Sequence, residues 1–454
     1  MAKTRKAFVC TDCGQDYQKW MGQCLNCNAW NTVSEISLGG RDSASHVRKG
    51  GYAGERSQVQ LLRDIDADEH ARISTGMVEF DRVLGGGMVP GSVILIGGNP
   101  GAGKSTLLLQ TLWKLAATSL ALYVTGEESL QQIALRSQRL GLPDDDLKLL
   151  AETNISAILQ AIEQQQPRLV VVDSIQATYV PELASAPGGV AQVRESAAYL
   201  LQAAKKKGFV LFLVGHVTKD GSLAGPKVLE HMIDCSILLE SSNDSRFRML
   251  RGQKNRFGAV NELGVFAMGE QGLKEVRNPS AIFLSRGEQP TPGSVVMVVW
   301  EGTRPLLVEI QALVDDSQLA NPRRVAVGTE QNRLALLLAV LHRHGGLQLG
   351  GQDVFVNVVG GVKVLETSAD LALLLALVSS FRDRVLPKNL VVFGEVGLGG
   401  EIRPVPSGQE RLHEAAKHGF QRAIVPRANL PKQKIAGMEI IGVDKVSDAL
   451  ETFG

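Results

Sequence analysis

The sequence predicts an α/β protein of several domains, and three observations carry that reading. From Ile73 onward, short apolar runs rich in β-branched residues alternate with helix-length stretches. A glycine-rich string, Gly98-Asn99-Pro100-Gly101-Ala102-Gly103-Lys104-Ser105, falls between one such run and a helix-like stretch. Two Cys-x-x-Cys pairs stand near the amino terminus. At 454 residues the chain exceeds what one hydrophobic core ordinarily organises, so two or three domains are expected.

Charge and composition narrow the partner classes. Lys and Arg number 48 against 47 Asp and Glu, a formal net charge of +1. No global field draws such a chain to nucleic acid or membrane, so any polyanion must be bound locally. No apolar run approaches the roughly 18 residues that span a bilayer, and "MAKTRKAFVC" lacks the apolar centre of a signal peptide. A soluble cytoplasmic protein with no membrane partner is expected. Five cysteines make a poor disulfide framework for so long a chain, and all but Cys235 fall within the first 27 residues.

The first element, residues 1–36, pairs Cys10 with Cys13 and Cys24 with Cys27. Two such knuckles can supply four thiolates to a tetrahedral Zn²⁺ at about 2.3 Å. A segment of this size has almost no other core, so metal binding would carry most of its folding energy. Tyr17, Trp20 and Trp30 form its aromatic cluster, and packing around the metal is their expected job. Residues 37–70, rich in Gly, Ser and charge, have the composition of a flexible linker.

The third element, residues 71–277, carries "SVILIGG", "ALYVTG", "RLVVVDS", "FVLFLVGH" and "CSILLE", apolar runs separated by helices. They argue for a largely parallel sheet with helices on both faces, with ligands bound at the carboxyl ends of its strands. The string from Gly98 to Ser105, with Thr106 following, fills the P-loop pattern. Its glycines let backbone N–H groups turn inward around phosphates, and the helix N-terminus adds the positive end of its dipole. Lys104 would neutralise β- and γ-phosphates of ATP, and the Ser105 hydroxyl would hold Mg²⁺. Asp173, after the run "RLVVV", is placed to hold the same Mg²⁺. Glu127 and Glu128 follow another strand. One of them, Glu127 by preference, can orient the attacking water, and the other can cap the next helix. His216 closes "FVLFLVGH" and can either sense the γ-phosphate or serve structure. Cys235 reads as a small buried residue.

This arrangement resembles the RecA-type ATPase core shared by recombinases, replicative ring helicases and the circadian-clock ATPase KaiC. With the four-cysteine motif and the string "KNRFG" at 254–258, the whole chain is similar to the RadA, or Sms, family of bacterial DNA repair proteins. The resemblance implies a RecA-like core with ATP sandwiched between subunits of a ring, expected to be hexameric. It also implies single-stranded and branched DNA as substrates, RecA as partner, and branch migration of recombination intermediates. Lys254 and Arg256 then become candidate trans fingers on a neighbour's γ-phosphate. Neutralising DNA phosphates is the competing use, since Arg246, Arg248 and Arg251 flank them with no acid between Ser245 and Gly258. A nucleotide switch that controls protein partners, as in KaiC, is the other functional class.

Residues 278–454 form a second α/β unit that resembles the proteolytic domain of Lon. There a serine before an alanine works with a lysine, and Ser368 in "TSAD" falls at the serine position, with Gln409 at the lysine position. An amide cannot take the serine proton. Lys417 lies eight residues further along, about two helical turns away. A non-proteolytic assembly and binding module is expected, with an ATP-dependent protease as the rival.

Overall fold

A computed structural model of the chain describes residues 5–10, 15–17, 19–38, 72–116, 119–142, 147–217, 223–224, 227–241, 246–281, 283–284 and 291–452. The expected linker at 37–70 lies outside them apart from its first two residues. The chain divides into two compact units, Met1–Val276 and Arg277–Gly454.

The first unit opens with a small antiparallel sheet of β1 (Arg5–Cys10), β2 (Asp16–Tyr17) and β3 (Val33–Leu38), in the order β2-β1-β3. Its buried core is Cys10, Cys24 and Val33, with Phe8 and Tyr17 packed against it. So little apolar burial cannot by itself offset the entropy of ordering the chain.

The rest of this unit is built on one nine-stranded sheet. After α1 (Val78–Val83) come β4 (Val93–Gly98), α2 (Lys104–Ala116), β5 (Ala121–Thr125), α3 (Leu130–Arg139) and β6 (Lys148–Ala151). Then follow α4 (Ile155–Gln165), β7 (Leu169–Asp173), α5 (Val190–Lys207), β8 (Val210–Val214) and a hairpin of β9 (His216–Val217) with β10 (Leu223–Ala224). Last come α6 (Lys227–Met232), β11 (Cys235–Ser241), β12 (Phe247–Asn255), β13 (Leu263–Gly269) and β14 (Gly272–Glu275). The order is β14-β13-β12-β11-β4-β8-β7-β5-β6. From β11 to β6 every pairing is parallel, and β12 to β14 add an antiparallel meander. The sheet is largely parallel as expected, with the meander added at one edge.

Alternation along the strands explains the two cores. Ile94, Ile96 and Tyr123 face one layer with α1, α2 and α3, whereas Val93, Leu95, Leu122 and Val124 face the other with α4 and α5. A strand buried on both faces reads as an unbroken apolar run, which is why "VILIGG" and "ALYVT" are so legible.

The second unit holds a seven-stranded sheet ordered β17-β18-β16-β15-β19-β22-β23. Its strands are β15 (Ser294–Glu301), β16 (Arg304–Asp316), β17 (Arg324–Val327), β18 (Gln352–Val358), β19 (Leu390–Val392), β22 (Arg422–Pro426) and β23 (Glu439–Val443). A short hairpin, β20 (Glu395–Val396) with β21 (Ile402–Arg403), stands apart. The helices are α7 (Gln331–Gly345), α8 (Asp370–Phe381), α9 (Gly408–Lys417) and α10 (Val446–Glu451). Helix α8 is buried from Asp370 to Ser379, so it is the central core helix of this unit. Among the described residues no helix is long and apolar enough to cross a membrane.

One aromatic contact ties α1 to the main sheet. Phe80 and Phe212 are fully buried with ring centroids 6.0 Å apart and planes tilted by 47°. Phe212→Ala is expected to destabilise the ATPase unit by about 3–5 kcal/mol through lost burial and the cavity left behind, read as an earlier midpoint in urea unfolding.

Candidate active site

The strand tips dictate where chemistry can occur. Strand β4 runs parallel between β11 and β8, and at its end Gly98 takes φ of 154°. A Cβ there would lie 2.4 Å from the Leu239 carbonyl oxygen of β11, so only glycine lets β4 turn out at this point. Gly103 takes φ of 105° before α2 begins at Lys104. Between them Ala102 is buried and donates its N–H to the Asn99 carbonyl (3.1 Å), while Asn99, Pro100 and Gly101 are exposed. Thr106 is half-buried in the first turn of α2.

Lys104 is 6% exposed, and its ammonium donates to the carbonyls of Gly98 (2.7 Å) and Asn99 (3.1 Å). Burial lowers its pKa, and the charges of Asp173 and Glu127 pull the other way. A cation held against carbonyl oxygens at the mouth of a glycine loop fits a phosphate partner better than water.

Across the sheet edge, Ser105 Oγ donates to Asp173 Oδ2 at 2.6 Å. The Tyr123 hydroxyl donates to the same oxygen at 2.5 Å, and burial, then the Asp173 charge, raises the Tyr123 pKa well above the usual phenol range. A serine hydroxyl and a carboxylate facing each other are the hard oxygen donors that suit Mg²⁺.

The paired glutamates separate cleanly. Glu128 forms an ion pair with Arg136 of α3 at 2.5 Å, and Thr125 Oγ1 bonds both its backbone N–H and its carbonyl. The helix cap itself is Ser129, whose side chain and that of Gln132 form a capping box. Glu127 accepts a hydrogen bond from the Ser174 hydroxyl beside Asp173 and acts through space on Lys104. His216 lies in the β9 hairpin directly after Gly215, whose N–H bonds Ile96 of β4 (2.9 Å).

The cations of the 251–260 stretch do not form one patch. Strand β12 runs antiparallel to β11, pairing Arg248 with Ser241 and Asn255 with Cys235. Arg248 therefore sits at the P-loop end, where its Nε donates to the Ala102 carbonyl at 3.0 Å. Lys254 and Arg256 sit at the opposite end, about 13 Å of strand away from the level of Gly98. Acids missing from the local sequence arrive from β11 and the turn before it. Glu240 stands 3.7 Å from Arg251, and Asp234 stands 3.2 Å from Arg256. Lys254 donates to the carbonyls of Glu230 and Ile233 at the end of α6, and burial, then the neighbouring Arg256, lowers its pKa. Arg72 grips the loop by donating to the carbonyls of Gly85 and Phe257.

In the small N-terminal sheet, Sγ atoms of Cys10, Cys24 and Cys27 lie within 4.8 Å of one another, a donor set that fits Zn²⁺. Cys13 lies outside the described residues. Tyr17 donates to or accepts from Cys24 Sγ at 3.1 Å, but Trp20 and Trp30 do not pack around the cluster as expected: they are 57% and 69% exposed. Cys235 is buried in β11, where desolvation, then Asp234, pushes its thiol pKa up to about 12.

In the second unit the residue facing Ser368 is Arg411 rather than Gln409. Arg411 is 1% exposed, with Nη1 at 3.3 Å from Ser368 Oγ and a forked ion pair to Glu366 at 2.9 and 2.8 Å. Gln409 is exposed, and Lys417 pairs with Glu414 at the surface. A guanidinium stays protonated at any working pH and cannot take a proton from the serine.

A family model described as the AAA domain matches residues 78–222, one described as the rubredoxin metal binding domain matches residues 8–35, and one described as subunit ChlI of Mg-chelatase matches residues 324–429. DNA repair protein RadA of Escherichia coli strain K12 is 69% identical over 457 residues, covering 100% of this chain and 99% of the relative. The RadA of Salmonella typhimurium is likewise 69% identical over the same shares. The chain belongs to the RadA family of DNA repair proteins. The family likeness holds at a distance: DNA repair protein RadA of Bacillus subtilis is 48% identical over 100% of this chain and 99% of its own length. The three parts are thereby a zinc ribbon, a RecA-like ATPase core and a Lon-like C-terminal domain.

Tyr123 escapes the sequence reading, which gives Arg248 only as a cation flanking Lys254 and Arg256, not as a contact of the P-loop. Tyr123 lies in the middle of the apolar run "ALYVT" and looks like core, though a buried phenol needs a partner for its hydroxyl, which is the signal that could have found it. Tyr123→Phe keeps the ring and removes one donor to a carboxylate, which is expected to lower stability by about 1–2 kcal/mol. A several-fold higher Mg²⁺ requirement for ATP turnover should accompany it, read by titrating Mg²⁺ at fixed ATP.

Proposed function

We propose that this chain is an ATP-driven DNA motor of homologous recombination, acting on single-stranded and branched DNA as a hexameric ring and promoting branch migration with RecA. The observation that carries the reading is the convergence of Lys104, Ser105, Asp173 and Glu127 on one sheet edge. Lys104 and the inward N–H groups from Gly98 to Thr106 take the phosphates of ATP, and Ser105 with Asp173 holds Mg²⁺. Bound Mg²⁺ supplies neutralising charge to the β- and γ-phosphates. Glu127, which accepts from Ser174 beside Asp173 and acts through space on Lys104, orients and polarises the attacking water. His216 follows Gly215, which is tied to the P-loop strand, and relays γ-phosphate occupancy into the loop beyond it.

Lys254 and Arg256 act on the nucleotide of the neighbouring subunit. The support is geometric, because their end of β12 is remote from the P-loop of their own chain. The Lon-like domain of 278–454 assembles and binds rather than cleaves, since Ser368 faces a guanidinium that cannot accept its proton.

ATP turnover measured with and without single-stranded DNA at two salt concentrations tests the motor, with Lys104→Ala as the blank. Stimulation by DNA that fades as salt rises is expected, whereas turnover indifferent to DNA would favour a nucleotide switch acting on proteins.

Arg256→Ala is expected to keep nucleotide binding and lose about 10³-fold or more of ring hydrolysis. Mixing it with Lys104→Ala should restore activity, because mixed rings contain some intact interfaces; no restoration would remove the action in trans.

A further inference from the structure

The zinc ribbon has almost no apolar core, yet it leaves its largest apolar side chains outside. Among the described residues there, Cys10, Cys24 and Val33 are the fully buried ones, while Trp20, Leu25 and Trp30 are 57%, 72% and 69% exposed. Burying the indoles would have stabilised a module that is short of buried surface. Their exposure calls for a use.

The two indoles converge on one point. A methyl carbon placed on Gly22 would lie 3.7 Å from Cη2 of Trp20 and 4.0 Å from Cζ3 of Trp30. The absence of a side chain at Gly22 keeps the space between the ring edges open. The turn that carries them is fixed by the bridge of Gln23 to Trp30, by Asn31 N–H to the Gly22 carbonyl (2.7 Å) and by Cys24 N–H to the Ala29 carbonyl (2.9 Å). A platform held in this way loses little freedom when a ligand lands on it.

The surrounding chemistry selects the ligand. No Asp or Glu occurs from Tyr17 to Ser34, and Lys19 is exposed beside Trp20. Flat aromatic faces with an exposed cation beside them suit the bases and phosphates of a single strand. We propose that Trp20 and Trp30 form a base-stacking platform for single-stranded DNA, an entry point separate from the ATPase core. This inference rests on the reading of the chain as a DNA-binding motor and names a contact within it.

The test uses the full chain and a fluorescein-labelled oligothymidylate, followed by anisotropy. The double variant Trp20→Leu/Trp30→Leu keeps apolar bulk but removes both π faces, and it should bind about tenfold or more weakly with its zinc content and DNA-free ATP turnover unchanged. Trp20→Phe/Trp30→Phe should retain most of the affinity. Wild-type affinity in the leucine pair would overturn the platform and leave the patch to a protein partner. Equal losses in the leucine and phenylalanine pairs, or loss of zinc from the leucine pair, would overturn it too. A wild-type chain that fails to bind the oligonucleotide would sink the motor reading together with the platform, which separates the two failures.

Discussion

The hydrogen bond from Ser105 to Asp173 is the point on which the ATPase unit turns. It joins the first turn of α2 to the tip of β7, although β8 lies between β4 and β7 in the sheet. Such a contact exists only if three parallel strands end at the same level. The parallel register supplies that, pairing Ile96 with Val214 and Val172 with Leu213. Gly98 is indispensable for the same reason, since a side chain there would push β4 off β11 and lift α2 away from Asp173. Tyr123 closes the node from β5, and the Gly126 N–H, bonded to the Asp173 carbonyl at 2.7 Å, holds the glutamate loop beside it.

What the sequence made legible was chemistry written in local spacing. The P-loop, the Asp173 strand and the paired cysteines are strings in which glycines, carboxylates or thiols stand at fixed offsets from an apolar run. The missed features depend on partners remote along the chain. Arg248 meets the P-loop through 146 positions of separation, and Arg411 meets Ser368 through 43. The basic run looked continuous because β12 was not recognised as a strand. An antiparallel strand carries its two ends to opposite edges of the sheet, so neighbouring cations diverge and acquire acids from β11. The tryptophans failed differently, because aromatic residues near cysteines read as core unless exposure is known.

In the Lon-like domain a buried guanidinium faces the serine. Ser368 is buried just before α8, and the position opposite it is filled by Arg411, the largest fully buried side chain among the described residues. Arg411 is satisfied by Glu366, by the Pro406 and Val298 carbonyls and by Ser368 itself, and its guanidinium lies 5.9 Å from the Trp300 ring. Buried charge of this kind is tolerated only when every donor is answered. The Arg411 guanidinium is thus a fastening between α9, β15 and the segment before α8.

Asp234 is a buried acid shared by two cations. Its carboxylate is 2% exposed and serves Arg256 through one oxygen only. The other oxygen accepts from Lys205 at 2.5 Å and from the Val93 N–H at 3.0 Å. An acid with a single cation would be stranded if that cation left, at a penalty that would glue the arginine in place. Here Lys205 is a second counter-ion, so the buried carboxylate does not depend on Arg256 alone, and Arg256, which also donates to the His231 carbonyl at 3.1 Å, is the partner whose loss would leave no bare charge inside the protein.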